Sequence, residues 1–152
     1  MYTIEIEAIT DFTTEVLACL DETYNAIPEF DQPYSSQVIS RRLLSGPALL
    51  LIARVEGDIA GFKLGYQHSN ETFYSWLGGV LPDYRGLGLA KSLLEYQEHW
   101  AKMQGYKQME VKTQNRFPAM LNMLIGHQYQ ITAMTADKQR LSQNKLHLQK
   151  QL

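Results

Sequence analysis

The chain has 152 residues, 45% of them hydrophobic and 20% charged, with a formal net charge of −2 and a single cysteine, Cys19. That length suits one domain over residues 1–152, with a core that needs neither metal nor disulfide, and a lone cysteine fits a reducing compartment. No apolar run nears the roughly 20 residues that span a bilayer, no basic-then-apolar leader opens the chain, and no basic stripe interleaved with aromatics offers a nucleic-acid surface; a cytoplasmic protein with neither membrane nor nucleic acid as partner is expected.

Residues 2–8 alternate, Ile4 and Ile6 against Glu5 and Glu7, which predicts a half-buried strand. Residues 11–25 carry Phe12, Val16, Leu17 and Leu20 at helical spacing, with Cys19 near that stripe in a packing position rather than a nucleophile's. Pro28 and Pro33 bound a loop holding Glu29, Phe30 and Asp31. Ser35 or Ser36 caps a second helix bearing Val38, Ile39, Leu43 and Leu44, which ends before Gly46-Pro47. Residues 48–55 are strongly apolar, Glu56-Gly57-Asp58 turns the chain, and strands follow over 59–67 and 72–81. A long helix over 86–104 stops at Gly105, where a left-handed C-cap residue belongs. The chain closes with a strand over 107–113, a shorter helix capped by Asn115 and stopped by Gly126, and strands over 129–136 and 145–151. The order β-α-α-β-β-β-α-β-α-β-β is α+β, one central mixed sheet flanked by helices.

Charge is unevenly spread. Residues 1–31 hold Glu5, Glu7, Asp11, Glu15, Asp21, Glu22, Glu29 and Asp31, with no lysine or arginine before Arg41; from Lys112 onward Asp137 is the one acid. The pattern reads as two solvated faces of opposite sign, or as an acidic half that attracts a cationic partner. His68, His99, His127 and His147 show no ligand spacing, so no metal is expected.

Chemistry concentrates in residues 78–91. A strand ends near Leu81 and a helix begins a few residues later, with Gly86 and Gly88 between. The first N–H groups of a helix lack internal acceptors and carry the positive end of its dipole, and glycine removes side chains that would keep an anion from them. Arg85 and Lys91 add charge nearby. A diphosphate fits such a turn. No Gly-Lys-Ser/Thr follows, so this is no Walker loop, and the glycine spacing is not a dinucleotide-binding fingerprint. Upstream, Gly78-Gly79 inside a strand marks a bulge or the close approach of a ligand.

Arg85-Gly86-Leu87-Gly88-Leu89-Ala90 matches the Arg/Gln-x-x-Gly-x-Gly/Ala motif, and Val80-x-Pro82-x-x-Arg85 its usual approach, so the chain resembles the GCN5-related N-acetyltransferases over nearly its whole length. The resemblance implies a mixed, mostly antiparallel sheet of about seven strands flanked by about four helices. It implies acetyl-CoA as acetyl donor, its pyrophosphate on the amides of Gly86, Leu87, Gly88, Leu89, Ala90 and Lys91, and its pantetheine and thioester carbonyl on the backbone of Gly78, Gly79 and Val80. Asn115 matches an asparagine near the pantetheine arm and serves equally as a plain helix cap. Glu110 stands where ribosomal-protein alanine acetyltransferases keep a glutamate general base, or is a glutamate on an exposed strand face. Asn122 replaces the tyrosine that commonly protonates the leaving thiolate; an amide donates a hydrogen bond but transfers no proton in this way.

The family's acceptor cleft corresponds to Glu29, Phe30, Asp31, Tyr34, Tyr74 and Trp76, with Tyr129 a weaker member. Tyr74 occupies the place of the histone acetyltransferases' glutamate, and carboxylates with aromatics suit an ammonium-bearing acceptor; the alternative is core packing for Tyr74 and Trp76. The implied reaction moves acetyl to a primary amine, of a small molecule or a protein, by direct attack in a ternary complex. The other reading is a non-catalytic acyl-CoA-binding or sensing domain. Members are often dimers, so a homodimer is a further expectation.

Overall fold

The computed structural model describes residues 1–31 and 33–152. Among them are seven strands and four α helices, in the order β1 (Ile4–Ile9), α1 (Thr14–Asn25), α2 (Ser36–Leu43), β2 (Ala48–Val55), β3 (Asp58–Gln67), β4 (Thr72–Val80), α3 (Leu89–Met103), β5 (Gln108–Gln114), α4 (Pro118–Gly126), β6 (Gln130–Thr135) and β7 (Lys145–Gln151). The expected α+β class and element order hold. The chain forms two compact units, Met1–Gln67 with Leu77–Gln97, and His68–Trp76 with Glu98–Leu152, so β4 and α3 each contribute a part to both.

In the first unit β1, β2, β3 and the end of β4 are neighbours in that order. β1–β2 and β2–β3 are antiparallel, with Ile4 opposite Val55 and Ala48 opposite Tyr66. All of β2 is buried except Arg54, because its run of apolar residues serves both faces of the sheet. The β2–β3 turn places Glu56 and Gly57 at φ 51° and 86°, the pair of left-handed conformations that a two-residue hairpin demands. Thr13 and Ser35 cap α1 and α2, accepting from the Val16 and Val38 amides at 3.2 Å each. Thr13 thus starts α1 three residues later than the sequence predicts. Leu20, Tyr24, Ile27, Ile39 and Leu43 join Phe62 and Leu64 in the core, and the Tyr24 ring lies 4.8 Å from that of Phe30 and 6.3 Å from that of Phe62. β1 is more exposed than its alternation implies, with Ile4 at 42%, since an edge strand has a partner along one side.

In the second unit the start of β4 runs parallel to β5, which pairs antiparallel with β7, and β7 with β6. One face is apolar: Phe73, Met109, Val111, Leu146 and Leu148 are buried, with the Trp100 and Tyr106 rings 5.3 and 5.2 Å from that of Phe73. Gly105, at φ 95°, ends α3, and the Tyr106 amide donates to the Ala101 carbonyl at 3.1 Å, the longer of the two bonds that close a helix in this way. On the other face the register aligns Tyr74, Glu110, Gln149 and Gln130 across four strands. Asn115 does not cap α4. That helix opens with Pro118 behind Phe117 and has no side-chain cap, while the Asn115 amide and side chain donate to the carbonyls of Asn144 and Leu141 at 3.1 and 3.0 Å. No helix among the described residues is long and apolar enough to cross a membrane.

Candidate functional site

In the first unit β4 ends at Val80, and the Leu81 amide donates to the Ala60 carbonyl at 2.8 Å, pinning the strand end. Pro82 to Tyr84 make one short 3₁₀ turn, after which Gly86 and Gly88 take φ of 84° and 78°. These conformations are not helical, so α3 starts at Leu89 rather than at Gly86 as the sequence suggests. The Ser92 amide donates to the Gly88 carbonyl at 3.1 Å. The amides of Leu89, Ala90 and Lys91 therefore precede the first helical bond and point out of the helix end.

The space in front of them is open. A Cβ at either Gly86 or Gly88 would meet no heavy atom within 4 Å, so these glycines serve backbone conformation and access rather than packing. Leu89, 2% exposed, roots the helix start in the core, while Gly86, Gly88, Ala90 and Lys91 face solvent. Lys91 lies 3.9 Å from Glu95, an exposed pair one helical turn on. Unblocked amides, positive helix end and nearby lysine fit a diphosphate, the part of coenzyme A expected here.

Gly78 and Gly79 have a different role. A Cβ on Gly79 would lie 2.7 Å from Ile27 Cδ1 and 3.5 Å from the Phe30 ring, and one on Gly78 3.2 Å from the Phe62 carbonyl. The pair lets a neighbouring strand and the chain after α1 approach β4 closely. Glu29, Phe30 and Tyr34 belong to that chain segment. Arg85 bridges it to β4: Nη2 donates to both Glu29 carboxylate oxygens, at 2.9 Å to Oε1, and Nε and Nη2 each reach the Val80 carbonyl at 3.1 Å. The residues around the turn place Arg85 on the phosphate side and the family resemblance implies Glu29 on the acceptor side; in the structure the two bond to each other. The Tyr34 amide donates to the Tyr24 hydroxyl at 2.9 Å, and the Arg42 guanidinium lies 5.3 Å from the Tyr34 ring.

In the second unit Glu110 is half-buried on β5, directly opposite Tyr74 on β4 and Gln149 on β7. Tyr74 and Trp76 are 9% and 8% exposed, as core aromatics are, and Lys112 Nζ lies 5.3 Å from the Tyr74 ring. Sequence reading missed Gln149 and Gln130, which strand pairing brings into the Glu110 row; no local motif marks them. With Gln128, Thr132, Lys150 and Gln151 they line a recess of about 280 Å³. Asn122 is exposed on α4. Tyr129 is buried beside Glu98, and burial first, then the Glu98 charge, push its pKa far above the usual phenol range. Lys150 bonds Glu98 at 2.9 Å and stands 5.6 Å from the Tyr129 ring. No cluster of His, Cys, Asp and Glu capable of holding a metal occurs among the described residues.

The Acetyltransferase (GNAT) family model matches residues 12–124, a stretch that includes the whole glycine turn. The chain belongs to this family. An acetyltransferase of Yersinia pestis is 33% identical over 87 residues, 56% of this chain and 60% of that protein. One from Sodalis glossinidius is 30% identical over 95 residues, 61% and 65% respectively. The match thus spans less than two thirds of either relative's own length. The GNAT fold itself extends over almost the entire chain. The ribosomal-protein-S18-alanine N-acetyltransferase of Escherichia coli superposes with a TM-score of 0.81 at 15% identity, covering 99% of this chain and 94% of that one. A GNAT acetyltransferase of Elizabethkingia anophelis, with acetyl-CoA bound, gives 0.77 at 19% identity, covering 98% of both.

Proposed function

We propose that this chain is an acetyl-CoA-dependent N-acetyltransferase acting in the cytoplasm, with a primary amine of a small molecule or a protein as acceptor. One observation carries the reading: two left-handed glycines stand before unencumbered amides at the start of α3, at the positions of the family motif. The acetyl-CoA in the Elizabethkingia anophelis structure supports the choice of donor, and the lone cysteine suits a reducing compartment.

In this reading the amides of residues 86–91 hold the diphosphate, Lys91 adds charge, and Gly78, Gly79 and Val80 present backbone to the pantetheine, the Val80 carbonyl being shared with Arg85. The donor supplies an acyl carbon activated as a thioester. Glu110 accepts the proton that the attacking amine must shed. The C–S bond breaks as the C–N bond forms, and the thiolate takes its proton from water, Asn122 offering a hydrogen bond only. Phe30 and Tyr34 supply aromatic surface for the acceptor, while Tyr74 packs in the core.

The test is free-thiol release from acetyl-CoA across a panel of amines, beside calorimetric titration with coenzyme A. Gly88→Asp is expected to abolish measurable coenzyme binding, because an acidic side chain then meets the diphosphate where no side chain stood. Unchanged affinity in that variant would refute the cradle. Tight coenzyme binding with no amine-dependent thiol release would instead establish the acyl-CoA-binding reading that Asn122 favours.

A further inference from the structure

Arg85 opens the glycine motif, yet its side chain turns back from it. Nε and Nη2 reach the carbonyl of Val80, five residues earlier, and Nη2 also engages the Glu29 carboxylate. The pair is partly exposed, 46% and 38%, so its ion-pair energy is small. What constrains the guanidinium in direction is that Nε and Nη2 share the Val80 carbonyl while Nη2 also holds the carboxylate.

Glu29 lies among residues 27–31 and 33–34, which are anchored at three places. The Tyr34 amide donates to the Tyr24 hydroxyl at 2.9 Å. Ile27 and Phe30 pack on the site of the absent Gly79 side chain. Glu29 makes the third anchor, on Arg85. Two of the three thus rest on the last residues of β4 and the residues that lead into the coenzyme turn. We propose that Arg85 is a positioning residue, not a phosphate ligand: with Glu29 it forms a clasp that makes residues Ile27, Glu29, Phe30 and Tyr34 and the 80–88 turn one mechanical unit, so that ordering one orders the other. The clasp would give the protein a means of preparing acceptor-side residues Phe30 and Tyr34 when the donor arrives. The donor half of this inference rests on the function proposed above.

Hydrogen–deuterium exchange on the full chain, with and without coenzyme A, separates the two ideas. In the free protein Glu29→Gln and Arg85→Lys are each expected to speed amide exchange over 27–34 roughly three- to tenfold, as loss of one anchor of a surface segment would, while β2 and β3 amides keep their wild-type rates and report that the fold is intact. With coenzyme A, wild type gains protection over both 86–91 and 27–34, and Glu29→Gln over 86–91 alone. Calorimetry adds an independent readout. A clasp predicts coenzyme affinity in Glu29→Gln within about twofold of wild type, whereas an arginine released to the diphosphate would bind roughly tenfold tighter. Unchanged exchange over 27–34 in both variants, or tighter coenzyme binding in Glu29→Gln, overturns the proposal. Absence of protection over 86–91 in wild type overturns the coenzyme reading instead, and leaves the free-protein comparison to decide the clasp.

Discussion

Gly79 and Gly88 are the same residue type nine positions apart, and their surroundings assign them opposite duties. At Gly88 a side chain would enter open space but strain the backbone, at φ 78°. At Gly79 the limit is the volume of Ile27 and Phe30. Gly79→Ala should therefore destabilise the fold by about 1–3 kcal/mol in urea denaturation, the usual cost of overpacking, with part recovered by Ile27→Val; a neutral Gly79→Ala would contradict the contact. Glu110 is a different kind of residue, half-buried among Tyr74 and Gln149. Glu110→Gln keeps its shape and removes its basicity, so amine-dependent thiol release should fall roughly 10²–10⁴-fold while coenzyme affinity stays unchanged. Loss of binding instead would make Glu110 a donor-site residue.

Elements start and stop where local chemistry lets them. Thr13 and Ser35 begin helices through their side chains, Gly105 ends one through its φ, and Gly86 and Gly88 postpone α3 by conformations that no helix contains. Asn115 shows the opposite case, a capping residue drawn away by a distant loop. That loop is organised by polar contacts: Asp137 Oδ1 accepts from the Gln139 and Arg140 amides at 2.9 and 2.7 Å, and its own amide donates to Asn144 Oδ1 at 2.8 Å. The two amides that Asp137 accepts from hold its pKa below the ordinary carboxylate range. A depressed folded-state pKa means that the stabilisation is present above the unfolded value, about 4, and is lost as pH falls through the folded one. Asp137→Asn should accordingly be less stable than wild type near neutrality, and the gap should close on acidification. A gap independent of pH would trace the effect to something other than charge.

At the scale of the whole chain, donor binding and stability are linked. If residues 86–91 hold coenzyme A in the folded state alone, coenzyme at about 100 times its dissociation constant should add roughly 2.7 kcal/mol and raise the Tm by several degrees; Gly88→Asp should show no such rise. Family, element order and the glycine turn before α3 were legible from residues because each depends on short-range chemistry: period-two and helical patterning, turn glycines, and a six-residue motif whose spacing is set by one helix end. Residues that act through distant partners were not legible. Nothing near Arg85 in the chain announces Glu29, 56 positions away, and nothing near Glu110 announces Gln149 and Gln130. Sequence by itself determined which backbone can face an anion, since glycine placement and helix starts are written locally. Which side chains are free to meet a substrate was decided by the tertiary structure alone, because strand register and long-range hydrogen bonds commit donors and carboxylates to one another before any ligand arrives.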